Sequence, residues 1–164
     1  MKTTILATVS FLTTLWLASP LLAQSVSPVE RLLTTKECQG CDLSGANLNS
    51  VDLSGANLSG ADLSDASLKN TLLVGANLSD ANLRGADLTQ AMLTGANISG
   101  ADLTYANLTD ANLFRAKAKE SGGADFTNAI FNGTMMPNGT VRDRQALPSV
   151  PEKVTPEQLP ATIR

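Results

Sequence analysis

Residues 41–115 read CDLSG, ANLNS, VDLSG, ANLSG, ADLSD, ASLKN, TLLVG, ANLSD, ANLRG, ADLTQ, AMLTG, ANISG, ADLTY, ANLTD, ANLFR, one five-residue unit written fifteen times without a gap. The third place is Leu in fourteen units and Ile98 in the other, and the first is Ala in twelve, with Cys41, Val51 and Thr71 as the exceptions. Self-similarity of this kind fixes architecture before local propensity does.

Apolar residues recur at alternating spacings of two and three. On a helix they spread around the whole circumference and leave no buried stripe. A long flat strand fails as well, because the step of three throws the inward side chains out of phase. A short extended piece followed by a turn satisfies the pattern, and the fifth place agrees: Gly at 45, 55, 60, 75, 85, 95 and 100, with Asp, Asn or Ser at others, all residues that tolerate turn dihedrals. The chain bends every five residues and winds into a coil with Leu and Ala inside.

These pentads resemble the pentapeptide repeat family over about 75 contiguous residues. The resemblance implies an all-β fold, a right-handed quadrilateral β-solenoid with four pentads per coil. It also implies that the central Leu and preceding Ala fill the core while the other three places face water. Fifteen units then make 3.75 coils, a rod about 18 Å long at the usual strand spacing.

Outward from the repeat, residues 1–23 read as a signal peptide. One Lys at position 2 precedes an uncharged run from Ile5 to Ala18, and Ser19-Pro20-Leu21-Leu22-Ala23 supplies a small residue at the cut. The 21 uncharged residues from Thr3 to Ala23 are also enough to span a bilayer if uncleaved. The expectation is cleavage, no membrane span in the mature chain, and a destination in the periplasm, thylakoid lumen or extracellular space.

Residues 24–37 form an N-terminal segment. Ser27-Pro28-Val29-Glu30 has the pattern of a capped helix start, with Val29, Leu32 and Leu33 as its apolar side, and a helix there would plug the exposed end of the first coil. Residues 38–118 carry the β-helix, 119–123 an insertion containing Ser121-Gly122-Gly123, and 124–138 a last partial coil with Phe126, Phe131 and Met136 in the central place. Residues 139–164, with Pro at 148, 151, 156 and 160, read as a flexible tail.

Cys38 and Cys41 both fall in inward phases. They suit small core residues or, in an exported protein, a local disulfide; a redox or metal role lacks the βαβ context or the further ligands it needs in a chain with no His.

Function must come from outward columns, which stack every four units. Asp42, Asp62, Asn82, Asp102 and Asp125 form an acidic column, read as a solvated face with Arg84 nearby, and Asn57, Asn77 and Asn97 form an amide column. On the third face Leu72, Val74, Met92 and Phe114 are apolar where the repeat places polar groups. Contiguous apolar surface of this kind marks a site for a protein partner or self-association, or one covered by the chain's own ends.

The absence of His, of a nucleophile elbow and of a phosphate loop argues against an enzyme, a cofactor or a metal site. A formal charge of −3 does not call for a nucleic-acid partner. Imitation of DNA, which some members of the family are thought to use against a topoisomerase, is an alternative. The repeat carries eight Asp against Lys69, Arg84 and Arg115, one net charge per roughly 3.6 Å, half the density of a duplex. An ice- or surface-binding face resting on Ser59, Ser79 and Ser99 is a second alternative. The reading preferred is an exported, non-enzymatic structural or protein-interaction module.

Overall fold

The computed structural model describes residues 26–118 and 123–143. The expected signal peptide, most of the insertion and the chain beyond Asp143 lie outside the described residues.

Parallel bridges join Asp42 to Asp62, Asn47 to Ser67, Asp52 to Leu72 and Asn57 to Asn77, and so on up the stack, twenty residues apart as far as Asn97↔Lys117. Four pentads therefore complete one coil, and the molecule has four faces. Face 1 carries Asp42, Asp62, Asn82, Asp102 and Asp125; face 2 carries Asn47, Ser67, Asp87, Asn107 and Ile130. Face 3 carries Asp52, Leu72, Met92, Asn112 and Met135; face 4 carries Glu37, Asn57, Asn77, Asn97 and Lys117. From Asp102↔Asp125 onward the bridge spacing is 23 residues, so three extra residues enter between Lys117 and Asp125.

The pentad works because all five of its N–H groups find acceptors. In the unit Ala61–Asp65, the Leu63 and Asp65 N–H groups bond upward to Asn82 O (2.7 Å) and Arg84 O (2.9 Å), and that of Asp62 bonds downward to Cys41 O (2.9 Å). The Ala61 N–H closes the preceding turn on Leu58 O at 3.1 Å. That leaves the fourth place, Ser64, whose N–H bonds to Asp62 Oδ1 at 2.9 Å. The second place is thus more than a solvent-facing position: its Asp or Asn supplies the one acceptor the backbone cannot.

The corner residue is left-handed in every unit. Gly supplies this conformation freely, but Gln90, Tyr105 and Arg115 adopt it too, with φ of 59°, 61° and 57°. Inside, the central Leu side chains and the first-place Ala residues from Ala56 to Ala116 are almost fully buried in one continuous cluster. Thr71 and Thr134, which replace Ala at the first place, are equally buried. Each hydroxyl donates to a carbonyl in the coil below, Leu48 O at 2.7 Å and Leu108 O at 2.5 Å respectively.

At the lower end α1, Pro28–Thr35, starts with Ser27 Oγ accepting the Glu30 N–H at 3.1 Å and ends at a left-handed Lys36. Leu32 enters the core and Val29 is half-buried, but Leu33, expected on the apolar side, is 46% exposed. Leu33 directly follows Leu32, about 100° around the helix, and so leaves the packed face.

At the upper end β1, Thr134–Met135, pairs antiparallel with β2, Val141–Arg142. This corrects the boundary drawn at 139: the chain reverses at Asn138-Gly139, and Met136 N–H bonds to Thr140 O at 2.8 Å. Ordered pairing therefore continues past the start assigned to a flexible tail. Among the described residues no helix is long and apolar enough to cross a membrane.

Candidate functional site

The requirement for an acceptor at the second place gives a way to ask which departures from the repeat are structural. Of the fifteen units, twelve use their own Asp or Asn, with Oδ1···N distances from 2.8 to 3.3 Å. Ser67 departs from the pattern and is compensated: Asn49 from the coil below turns its Oδ1 toward the Lys69 N–H, 2.8 Å away. In the last coil Met135 departs harmlessly, because the residue two further on is Pro137 and has no N–H.

Leu72 and Met92 are different. They cannot accept a hydrogen bond, and among the described residues nothing takes their place at the Val74 or Thr94 N–H. The apolar side chains are not buried in return: Leu72, Val74 and Met92 are 37%, 39% and 41% exposed. Leu72 and Met92 bridge directly, one coil apart, and Val74 lies beside Leu72. Two units thus give up a turn bond and expose hydrocarbon together.

Phe114, the fourth residue expected on this surface, is half-buried. Arg115 stacks its guanidinium 5.0 Å from the ring, and the hairpin turn approaches so closely that a side chain at Gly139 would meet it at 3.3 Å. The upper end of the strip is thereby partly closed, while its middle stays open. Below it, Lys36 pairs with Asp52 at 3.8 Å and donates to the Asp52 carbonyl.

The polar faces are largely self-satisfied. On face 4, Asn97 donates to Asn77 (3.2 Å), Asn77 to Asn57 (3.4 Å) and Asn57 to Glu37 (3.1 Å), an amide ladder ending on a carboxylate. The Ser59 and Ser99 hydroxyls, two of the three in the row named for the ice-binding alternative, donate to Asn57 and Asn97 Oδ1 at 2.9 and 2.8 Å. On face 1, Asn82 donates to Asp62 at 3.0 Å. Arg84, expected to ease repulsion in that column, instead bonds to Thr104 Oγ1 at 2.8 Å and stacks on Tyr105. Its side chain reaches one coil upward. Hydrogen bonds from Ser44, Ser54 and Thr127 hold the Asp42, Asp52 and Asp125 carboxyls below the usual range. Burial pushes Asp87 upward, but bonds from Thr89 and Lys69 outweigh it and the net shift is downward. Among the described residues no cluster of three or more potential metal ligands occurs.

Cys38 and Cys41 form a disulfide with Cα atoms 5.2 Å apart. Cys38 is fully buried, and its Sγ, which carries no proton, lies 3.4 Å from Pro28 O at the start of α1.

The pentapeptide repeats family model matches in eight copies, over residues 37–73, 61–100 and 71–110. Among solved structures, the chain is 38% identical to HetL from Nostoc sp. strain PCC 7120, described as involved in heterocyst differentiation regulation. That match covers 65% of this chain and 51% of HetL, with a TM-score of 0.54. It is 34% identical to a pentapeptide repeat protein from the Arabidopsis thaliana thylakoid lumen, over 68% of this chain and 72% of the other (TM-score 0.50). A further Nostoc pentapeptide repeat protein is 40% identical over 55% and 75%, with a TM-score of 0.51. The chain thus spans about half the length of HetL. No curated protein matches in sequence. These likenesses carry a right-handed β-helix.

Proposed function

The chain belongs to the pentapeptide repeat family, and from that premise we propose that it is an exported, non-enzymatic scaffold that offers face 3 to a protein partner. The contact surface is Leu72, Val74 and Met92, with Phe114 at its upper margin. One observation carries this reading: Leu72 and Met92 each forgo the acceptor that the turn needs, and neither gains burial. Within the fifteen units the other departure, Ser67, is compensated and these two are not, a trait they share with the exposed Ile130 of the last coil.

Export is supported by the sequence of residues 1–23, by the disulfide, and by the thylakoid-lumen origin of one relative. The four-sided coil holds face 3 flat, and α1 blocks the lower end, so that association is directed to the side of the rod rather than its base. A Leu-filled interior favours shape over reaction as the means of action.

The test is to replace Leu72 and Met92 by Asn, the residue the repeat itself prefers, and to compare crosslinked capture from the native envelope with that of the unaltered chain. The reading expects a specific adduct to disappear while folding is retained. An unchanged adduct profile would place the contact elsewhere.

A further inference from the structure

The tripeptide Asn-Gly-Thr occurs twice in the chain, at residues 132–134 and 138–140. Asn followed by Gly is the pair in which the main chain can attack its own side chain, because no Cβ on the glycine hinders its nitrogen from reaching the Asn Cγ. The two copies share the same local chemistry, so a difference between them comes from the fold.

At the first copy the reacting peptide is held at both ends. Asn132 O accepts the Asp110 N–H at 2.7 Å, and the Gly133 N–H donates to Asp143 Oδ1 at 3.0 Å. The Thr134 hydroxyl is buried and spent on Leu108 O. This peptide cannot turn without breaking the coil.

The second copy is the reverse. Asn138, Gly139 and Thr140 are exposed, and among the described residues the Asn138 carbonyl accepts nothing. Thr140 turns both its N–H and its hydroxyl on Asn138 Oδ1, at 3.0 and 2.7 Å. Two donors thus face the oxygen on which charge builds when a nucleophile adds to Cγ, the arrangement of an oxyanion hole. The Gly139 N–H bonds to Met136 O at 2.9 Å, an exposed turn bond that local opening of the hairpin releases. Asn57 and Asn97 receive the same pair of donors from Ser59 and Ser99, but the residues between are Leu58 and Ile98, buried and with N–H groups tied to the coil above.

We propose that Asn138 is a site of self-catalysed deamidation, with the Thr140 N–H and hydroxyl as the groups that promote it. The Gly139 nitrogen gives its proton to water and bonds to Asn138 Cγ, and the Oδ1 charge that develops is held by Thr140. Collapse breaks the Cγ–Nδ2 bond and releases ammonia, leaving a cyclic imide. Water then opens the imide at either carbonyl, to an aspartyl or an isoaspartyl residue, so that the balance is water in and ammonia out. The isoaspartyl product lengthens the main chain by one methylene within the turn that carries Thr140 O to the Met136 N–H and stands against Phe114. Conversion therefore loosens the upper hairpin and uncovers that ring.

The test is to age the full-length protein at neutral pH and to follow both asparagines by fragmentation mass spectrometry, which separates the two acidic products. In the folded chain Asn138 is expected to convert at least about tenfold faster than Asn132, and in concentrated urea the two identical tripeptides should react alike. Thr140→Val, which keeps the N–H and loses the hydroxyl, should slow Asn138 several-fold, Thr140→Ser should restore it, and Asn132 should not move in either. Hydrogen exchange should show the Met136 amide protected in fresh protein and unprotected in the isoaspartyl form. Equal rates at the two sites in the folded chain would overturn the proposal. So would a difference that persists in urea, or a Thr140→Val rate no slower than that of Thr140→Ser.

Discussion

The carboxylate of Asp80 occupies the space that a side chain at Gly100, one coil above, would need. The same relationship joins Asp65 to Gly85 and Asp110 to Gly133, whereas Gly95 has nothing within 4 Å of its virtual Cβ. Both Gly95 and Gly100 are left-handed, with φ of 68° and 73°. Ala at either should therefore cost about 1 kcal/mol for conformation alone. Gly100→Ala must also displace the Asp80 carboxylate, adding roughly 0.5–1 kcal/mol, which Asp80→Ala should recover in a double-mutant cycle. Urea unfolding measures it, and equal losses at the two glycines would show the corners to be uncoupled.

Acid should weaken the rod through its turn carboxylates. Asp42, Asp52, Asp87 and Asp125 have folded pKa values held below 3.8. A depressed carboxyl contributes stability that is fully present above its unfolded pKa and is lost as pH falls through the folded value. This contribution is expected to be flat from neutral pH down to about 5 and to decline below about 4. Replacing the four by Asn keeps an Oδ1 acceptor without a titrating group, so thermal unfolding of that variant should lose less between pH 4 and 2. An unchanged acid limb would assign it to other groups.

Thr71 separates packing from hydrogen bonding at the first place. Its buried hydroxyl donates to Leu48 O, which also accepts from Val51 at 3.4 Å. Thr71→Val keeps the volume and loses the better bond, at a cost of about 1 kcal/mol. Thr71→Ala restores the residue the repeat uses and should cost no more than Thr71→Val. Chemical denaturation of the pair decides the matter, and a larger loss for Ala would mean that methyl packing dominates.

The Asn ladder is directional and ends on Glu37. Asn77→Asp preserves the acceptor for the Ser79 N–H but removes the donor to Asn57 and sets a carboxylate beside its Oδ1. A loss of about 1–2 kcal/mol at neutral pH, smaller at pH 3 as the new carboxyl protonates, is the expected outcome. A loss independent of pH would argue against repulsion within the column.

The coil and its Leu lumen were legible because one period repeats fifteen times, and a spacing of five leaves little choice of backbone. The columns followed once four units made a turn, so Leu72, Val74 and Met92 could be set on one surface from residue numbers alone. Less accessible was why the second place is Asp or Asn: the answer lies in a leftover N–H two residues on, which becomes visible only when every other donor is accounted for. Coverage of Phe114 depends on a reversal at Asn138-Gly139 that has no repeat phase to announce it. Likewise, Arg84 sits beside the acidic column in sequence yet bonds one coil higher, to Thr104.

The most direct measurement is the unfolding free energy of the Leu72→Asn, Met92→Asn double variant. If the strip exists for a partner at the expense of its turns, restoring the two acceptors should leave stability unchanged or raise it by about 1 kcal/mol in total. A loss of 1 kcal/mol or more would mean that the chain itself buries these side chains, and the surface proposed for binding would not be free.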